Sequence, residues 1–346
     1  MTPKLNIQTS QSGFGDPRKL AESRQELNRA YQTYLAHVQP VTVPLALISQ
    51  IQRSGGSMLS QLFDGHPEVH AHPHELKIGY PKKFIWPEID LDDNPQHWFE
   101  ILFEDSAVEH LQHGYKKMAK YEDTFQFTFA PSLQRKIFMK HLNNAKTINL
   151  RTVFDAYMTS YFGAWINNQN RLGSKKFVTG FTPRLAMMKN NMKSFFDIYP
   201  EGRVISVIRD PKNWFPSATR HQLDKYGEIM HALDQWLDSA KSMVINKKQY
   251  GDQICIITFE DLVKRTKPVM HYLAGFLNIN FDNILLTPTF NKAPIKPNTS
   301  FKLEKPGIMT SAVERYKTLS SDELGIIRDR TTDLYNQVLD VVVSFE

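Results

Sequence analysis

Apolar and polar positions alternate along this chain in a way that predicts strands separated by helices. Strands are predicted at residues 44–51, 203–208 and 253–259, which are mostly apolar as in strands buried on both faces, and a short strand is predicted at 175–181. Apolar residues at helical spacing predict helices at residues 58–63, 132–170 in two segments, 184–199, a stretch ending at 221, 228–250, 260–277 and 320–343. Residues 287–308 have the composition of a loop. This order predicts an α/β protein with a mostly parallel central sheet and helices on both of its faces.

The two regions outside this regular pattern are the N-terminus and the segment before residue 132. Residues 1–40 predict a polar arm and then an amphipathic helix over 17–38, ahead of a single domain over 41–346. Residues 76–131 predict an insertion of short helices and loops over the strand ends, where acceptor specificity is expected. Its aromatic residues could equally form a core of their own: Trp86, Trp98, Phe99 and Phe103.

Composition narrows the class of protein without naming an activity. The 346 residues carry 42 Lys and Arg against 36 Asp and Glu, a net charge of +6 that is spread along the chain. This suits a small anionic ligand, and with no dense basic run we expect no nucleic-acid partner. A single cysteine, Cys255, cannot form an intrachain disulfide and fits a reducing compartment. With no apolar run of signal-peptide or membrane-span type, we expect a cytoplasmic protein.

The turn after the first predicted strand has the composition of an anion-binding loop. Residues 52–57 read Q-R-S-G-G-S and lead into a helix near Met58. Glycines let backbone N–H groups approach an oxyanion, and a helix N-terminus favours negative charge. Ser54 and Ser57 add hydroxyl donors, and Arg53 adds a positive charge with several N–H donors in a fixed, forked geometry. The loop is therefore predicted to hold the 5′ end of a phosphorylated donor, an ordinary strand-to-helix turn without a ligand being the alternative.

This loop differs from the usual nucleoside-triphosphate loop. That motif, G-x-x-x-x-G-K-[ST], uses a Lys for the β- and γ-phosphates and a Ser or Thr for magnesium. Here the Lys is missing, Gly55 and Gly56 are adjacent, and the cation Arg53 precedes the turn. A phosphoryl-transfer enzyme is therefore the weaker alternative for this loop.

A second anion site is predicted after the strand at 203–208. Arg209 follows this strand directly, and Ser217 lies eight residues later across the start of a helix. Ligands of open α/β sheets bind at the carboxyl ends of strands, and an Arg with a hydroxyl suits a monoester phosphate. Alternatively, Arg209 pairs with Asp210 or caps a helix, and Ser217 is an incidental helix residue.

Taken together, the two segments resemble the sulfotransferase family. The first, Q-R-S-G-G-S-M-L-S-Q-L-F-D-G-H-P-E-V, is similar to the family's 5′-phosphosulfate loop, closest to the Arg-Ser-Gly branch that includes tyrosylprotein and bacterial sulfotransferases. The second, V-I-S-V-I-R-D-P-K-N-W-F-P-S, resembles the family's 3′-phosphate motif. Further similar stretches occur at 257–263, at 276–279, at 296–301 and in the closing helix, so the resemblance covers residues 43–340.

The resemblance implies a P-loop-like fold and transfer of a sulfuryl group from 3′-phosphoadenosine 5′-phosphosulfate to a hydroxyl or amine of a small molecule or sugar. By matching positions it implies that the 5′-phosphosulfate lies against Arg53, Ser54, Gly55, Gly56, Ser57 and Met58. It implies that the 3′-phosphate lies against Arg209 and Ser217, and that the nucleotide is covered by a late loop with Lys296, Asn298 and Ser300.

The chemistry needs a base for the acceptor proton and positive charge at the leaving oxygen. Arg53 is expected to supply the charge. The resemblance offers Glu75 as the base, which we favour, with His74 as the alternative. His70, His72 and His74 alternate on one extended segment and could face a metal, but no further ligand stands at a standard spacing, so no metal is predicted.

The chain departs from the resemblance at Phe181, where much of that branch carries a lysine, and at Gly56, where a hydroxyl residue is usual. The lost lysine could be replaced by a cation from elsewhere: Lys82, Lys83, Lys175, Lys176 or Arg184. If none replaces it, a catalytically weak member that binds nucleotide or a partner is the further alternative.

Overall fold

The computed structural model describes residues 17–78, 85–113, 127–295 and 307–345. The chain divides into two compact units, Met1–Gln39 and Pro40–Glu346. In the first unit, α1 runs over Pro17–Ala36, close to the predicted helix.

The second unit is built on a five-stranded sheet in the order β2-β3-β1-β4-β5, in which every pairing is parallel. The strands are β1 (Leu45–Ile48), β2 (Val69–Glu75), β3 (Phe177–Phe181), β4 (Arg203–Ile208) and β5 (Ile254–Thr258). The predicted α/β class with a parallel central sheet is therefore confirmed. Four strands match predicted strands; β2 escaped prediction as a strand because its sequence, V-H-A-H-P-H-E, is not apolar.

Helices cover both faces of this sheet. They are α2 (Gly56–Phe63), α3 (Pro95–Leu102), α4 (Asp105–His113), α5 (Pro131–Asn143), α6 (Leu150–Ala164), α7 (Lys189–Ile198), α8 (Pro211–His221), α9 (Leu223–Tyr226), α10 (Ile229–Tyr250), α11 (Phe259–Lys264), α12 (Thr266–Phe276) and α13 (Ser321–Leu339). Four 3-10 segments add to them at Leu185–Met187, Gly251–Gln253, Asn283–Leu286 and Thr310–Thr318. No helix among these described residues is long and apolar enough to cross a membrane.

Three element predictions need correction. The helix predicted over 260–277 is two helices, because Arg265 has non-helical backbone angles between α11 and α12. The helix predicted over 184–199 begins as a 3-10 turn, and Met188 in extended conformation separates it from α7. The loop predicted over 287–308 contains a short antiparallel hairpin, β6 (Thr289–Phe290) and β7 (Ala293–Pro294).

The core has two parts, one on each face of the sheet. Successive side chains of a strand point to opposite faces, and β1 shows this directly. Leu45 and Leu47 belong to the larger cluster, which includes α6 and α10, whereas Ala46 and Ile48 belong to the cluster with α2, α11 and α12. Both faces of β1 are therefore buried, which explains its continuous apolar sequence.

The aromatic residues of the segment over 76–131 belong to the larger core cluster. Trp86 is 3% exposed and stacks on Phe154 with ring centroids 5.1 Å apart. Trp98 and Phe99 are also buried, and Phe103 packs against the cluster from a partly buried position. Residues 79–84 and 114–126 of this segment lie outside the described residues, and its predicted role in acceptor choice stays a prediction.

Candidate active site

The carboxyl ends of the strands surround a cavity of about 230 Å³. β1 lies between β3 and β4, and the chain leaves β1 toward β2 on one side while β4 and β5 extend the sheet on the other. Such a switch point is where α/β sheets bind ligands. The lining residues come from all five strand ends, from α2 and α8, and from the 3-10 segment Thr310–Thr318 with the residue before it: Gln52, Arg53, Gly55, Gly56, Ser57, Met58, Glu75, Phe181, Arg209, Ser217, His221, Phe259, Met309, Ala312 and Arg315.

The loop after β1 has the strained backbone that its sequence predicts. Arg53 has φ of 70° and Gly55 has φ of 103°, both in the left-handed region. A side chain on Gly55 would also meet the Phe259 ring, since an added Cβ would lie 2.5 Å from Phe259 Cδ2. The turn brings the N-terminus of α2 to the cavity, where its first N–H groups and Ser57 can meet an anion.

The two departures from the family pattern lie against each other. A Cβ added at Gly56 would be 2.4 Å from Phe181 Cε2 and 2.1 Å from Gln50 Nε2. Both neighbours are buried, so neither can move aside easily. Gly56 is therefore required by the ring that stands at the usual lysine position.

Arg209 is held by the backbone on either side of the cavity. It is 3% exposed, and its Nη1 donates to Arg53 O at 2.9 Å while its Nη2 donates to Ala312 O at 2.6 Å. The guanidinium also lies over the Phe259 ring, 4.4 Å from its centroid. These contacts fix Arg209 between the first loop and the segment that carries Arg315.

Three arginines concentrate positive charge in this cavity. Burial, together with the nearby Arg315, lowers the pKa of Arg209 to about 9. Burial and the charge of Arg53 lower the pKa of Arg315 to about 10, and burial lowers the pKa of Arg53. All three shifts mean that the cationic forms are disfavoured where they stand. A bound anion would relieve this, which is the electrostatic signature of an anion site.

Helix α8 joins the two predicted motifs. Its N-cap is Asp210, whose side chain accepts from Lys212 N, and Pro211 occupies the first turn. Trp214 Nε1 donates to Gln52 O at 2.8 Å, which ties α8 to the first loop. Ser217 is 1% exposed and reaches the cavity from the same helix.

Glu75 and His74 lie in different surroundings at the end of β2. Glu75 pairs with Phe181 across β2 and β3 and lines the cavity. His74 is instead part of an aromatic cluster, with its Nε2 3.3 Å from Tyr161 Oη and its ring 6.0 Å from that of Phe127. Strand alternation explains the difference, because neighbouring residues point to opposite faces.

Most of the residues named from sequence meet in this cavity: Arg53, Gly55, Gly56, Ser57, Met58, Glu75, Arg209 and Ser217. Ser54 and His74 do not line it; Ser54 is 1% exposed within the loop. Lys296, Asn298 and Ser300, predicted to cover the nucleotide, lie outside the described residues.

Two of the cations considered as substitutes for the family lysine are at the wrong end of β3. Lys175 Nζ donates to Pro67 O at 2.8 Å, and Lys176 Nζ donates to Asn278 O and pairs with Glu68. Both residues precede β3, whereas the cavity is at its carboxyl end, so that expectation is wrong for them. Arg184 bonds Gln52 Oε1 at 2.5 Å and so stands behind a lining residue. Lys82 and Lys83 lie outside the described residues.

Sequence reasoning missed two charged or titratable lining residues. Arg315 comes from the 3-10 segment Thr310–Thr318, far along the chain from either motif. His221 ends α8; burial and the charge of Arg53 lower its pKa, while Glu75 acts in the opposite direction. The basic pair Arg220-His221 at the end of α8 could have indicated His221 from the sequence. No local motif indicates Arg315.

A family model described as the sulfotransferase family matches residues 44–283, and the chain belongs to this family. Its members are sulfotransferases, so this chain is an enzyme of that class and sulfuryl transfer is its type of reaction. A comparison with curated proteins found no match to this sequence.

Solved structures show similar but distant folds. The sulfotransferase domain of the Synechococcus PCC 7002 olefin synthase is 17% identical, with 90% of this chain and 98% of that chain covered and a TM-score of 0.47. The sulfotransferase domain of the curacin biosynthetic pathway is 18% identical, with 84% and 98% covered and a TM-score of 0.47. A retinol dehydratase solved with retinol and PAP is 12% identical, with 92% and 88% covered and a TM-score of 0.39.

Proposed function

We propose that this enzyme transfers the sulfuryl group of 3′-phosphoadenosine 5′-phosphosulfate to a hydroxyl group of a small-molecule or sugar acceptor. The observation that carries the proposal is that two clusters of groups able to donate to an anion line one cavity. The N-terminus of α2 with Arg53 and Ser57 forms one, and Arg209 with Ser217 forms the other. A donor charged at both its 5′ and 3′ positions matches two cationic subsites, whereas a nucleoside triphosphate would leave the second without a partner.

In the proposed reaction, the acceptor oxygen forms a bond to sulfur as the bond from sulfur to the bridging phosphate oxygen breaks. The electron pair of the broken bond stays with the leaving adenosine 3′,5′-bisphosphate. Arg53 and the first N–H groups of α2 stabilise the charge that develops on the leaving phosphate. Arg53 is cationic, the N–H groups are dipolar, and both already lie at the cavity. The protein itself can therefore stabilise the charge on the leaving phosphate.

Glu75 is the base in this proposal. It is the carboxylate among the residues that line the cavity, and His221 is a second titratable group on the same wall. His74 is directed to Tyr161, so it is less suited to take a proton from an acceptor in the cavity. Glu75 would accept the acceptor proton as the oxygen attacks sulfur.

The proposal is tested by comparing two nucleotides as ligands of the purified protein. Adenosine 3′,5′-bisphosphate is expected to raise the Tm without added metal, and ATP with magnesium is expected to raise it much less. Adenosine 5′-monophosphate is the matched control, since it lacks only the 3′-phosphate. If the bisphosphate gave no shift at millimolar concentration, the donor proposal would be wrong.

A second candidate is a family member with weak catalysis, and Phe181 is the observation that favours it. The ring lines the cavity where much of the resembled branch has a lysine, and neither Lys175 nor Lys176 reaches that position. This candidate predicts tight bisphosphate binding with transfer that is slow or absent for a panel of phenols, aliphatic alcohols and sugars. Rapid transfer to any of these acceptors would exclude it.

A further inference from the structure

Three side chains that can bind a metal converge behind β2, on the side away from the donor cavity. They are His72 and His74 of β2 and Glu104, which lies between α3 and α4. One ligand atom from each lies within 4.8 Å of the others. The two histidines alternate along a strand, so their side chains share a face. Glu104 supplies the third ligand, which the spacing of residues in the sequence did not indicate.

His72 and Glu104 place two ligand atoms at a separation that suits a tetrahedral metal. His72 Nε2 lies 3.3 Å from Glu104 Oε1, and both side chains are fully buried. With metal–ligand bonds of about 2.0–2.2 Å, neighbouring ligand atoms around a tetrahedral Zn²⁺ lie about 3.3–3.5 Å apart. A cation between these two atoms therefore needs little movement of either side chain.

The hydrogen bonds around His72 leave the correct nitrogen for a metal. His72 Nδ1 lies 3.0 Å from His74 O. A carbonyl oxygen only accepts, so Nδ1 carries the hydrogen, which leaves Nε2, on the side of Glu104, as the atom that would coordinate a metal. This is the arrangement of metal-binding histidines, in which the second nitrogen donates to a carbonyl or carboxylate.

Glu104 is likewise oriented by outer hydrogen bonds. Lys77 N donates to Glu104 Oε2 at 2.9 Å, and Tyr157 Oη donates to Glu104 Oε1 at 3.1 Å. A fully buried carboxylate needs a cation as well as donors, and a divalent ion would supply one.

We propose that His72, His74 and Glu104 form a binding site for a divalent cation of the Zn²⁺ class. Tyr157 is a positioning residue for Glu104 in this site. The cation would connect β2 to the segment between α3 and α4, just before Glu75 enters the cavity. Its role is structural, because the three ligands point away from the cavity in which the donor is proposed to bind.

The test is a metal titration of the full chain after treatment with a chelator. Zn²⁺ is expected to bind with one equivalent per chain and to raise the Tm, and Co²⁺ is expected to give the visible absorption of a tetrahedral site. Glu104→Gln keeps the size of the side chain and one acceptor oxygen yet removes the charge, and His72→Gln removes one ligand. Each should weaken Zn²⁺ binding by more than about 100-fold, since even outer hydrogen-bonding partners contribute 10–100-fold.

Two further variants distinguish this site from adventitious binding. His97→Gln is the matched control, because His97 is an exposed histidine 3.5 Å from Asp93, and it should leave Zn²⁺ affinity unchanged. Tyr157→Phe should weaken binding by about 10–100-fold. Equal Zn²⁺ affinity in the parent, Glu104→Gln and His72→Gln proteins would overturn the proposal and leave the three side chains as a hydrogen-bonded cluster. No donor or acceptor enters this test, so its failure leaves the sulfuryl-transfer proposal intact.

Discussion

At the scale of single residues, the donor loop and the end of β3 depend on each other. The Phe181 ring occupies the space that a side chain at position 56 would need. Sequence comparison presents them as two separate departures from the family pattern. The structure shows one local solution, in which an aromatic ring occupies the volume that a side chain on the loop would otherwise use.

This contact predicts strong coupling between substitutions at the two positions. Gly56→Ala should lower the free energy of unfolding by about 1–3 kcal/mol, the usual cost of overpacking a buried site. In a Phe181→Val background, where the ring is gone, the same substitution should cost less, because of the two close neighbours only Gln50 then remains. Chemical denaturation of the parent, both single variants and the double variant measures the coupling energy. Additive effects would show that the ring is not what makes a side chain at position 56 unfavourable.

Arg209 is predicted to determine the preference for a 3′-phosphate. Arg209→Ala should weaken binding of adenosine 3′,5′-bisphosphate by about 10–100-fold, because a charged hydrogen bond contributes about 1.5–3 kcal/mol. Binding of adenosine 5′-monophosphate should change little. Titration calorimetry with both ligands checks this, with Arg203→Ala as a control, since Arg203 bonds carbonyls at the opposite end of β4. Unchanged bisphosphate affinity would place the 3′-phosphate elsewhere.

Glu75 is predicted to be necessary for turnover and unnecessary for donor binding. Glu75→Gln keeps the size of the side chain and removes its ability to take a proton, so transfer should fall by about 10²–10⁴-fold. The bisphosphate should still raise the Tm of the variant. Parallel assays of His74→Gln and His221→Gln identify the base if Glu75→Gln retains turnover.

At the scale of elements, the sequence predicted best where one physical requirement dominates. β1, β4 and β5 are buried on both faces, so their apolar runs were unambiguous. The left-handed turn before α2 needed glycine, which identified the donor loop. β2 combines histidines, a proline and the glutamate that enters the cavity, because it packs against an aromatic cluster and Glu104, and those partners are distant in sequence.

The position of Arg315 shows why part of the site could not be predicted. It lies in an irregular 3-10 segment that reaches the cavity through tertiary packing, with Tyr316 N donating to Asn213 Oδ1 of α8. Local sequence patterns report periodicity and turn chemistry, and neither identifies which distant segment returns to a strand end. Lys175 and Lys176 illustrate the converse error, because closeness in sequence to Phe181 placed them five or six residues back, at the other end of the strand.

Cys255 of β5 offers a test of how well the sheet is protected. The thiol is 2% exposed, and burial raises its pKa to about 12. At pH 8 only about one thiol in ten thousand would be ionised, and the thiolate is the reactive form. The native protein should therefore react with iodoacetamide far more slowly than the denaturant-unfolded chain. Labelling at the rate of a free thiol would show that β5 opens readily.

At the scale of the whole molecule, the cavity stores unfavourable electrostatic energy in the ligand-free fold. Burial lowers the pKa of Arg53, Arg209 and Arg315, and the charge of Arg53 further lowers the pKa values of the other two. Functional sites commonly carry such strain, and the rest of the fold compensates for it. Binding of an anion then stabilises the fold by mass action.

Replacement of one of these arginines should separate stability from binding. Arg315→Met removes a buried charge and keeps most of the side-chain volume, so the Tm in anion-free buffer should rise. The increase in Tm on adding adenosine 3′,5′-bisphosphate should become smaller than in the parent. Thermal denaturation with and without the ligand measures both effects, and Lys317→Met, on an exposed side chain of the same segment, is the control. A lower Tm without ligand would show that the arginines are already compensated.

The contact between Gly56 and Phe181 also constrains the order in which this sequence could change over evolutionary time. With the ring present, any residue larger than glycine at position 56 meets a clash, so that position is closed to variation. A smaller or flexible residue at position 181 removes the clash with the ring while glycine is still in place, and Gln50 is then the remaining neighbour that must shift. A mutational path that restores a hydroxyl to the loop and a lysine to β3 is therefore easier when position 181 changes first. A library that randomises both positions should recover loop substitutions mainly among clones that have lost the ring.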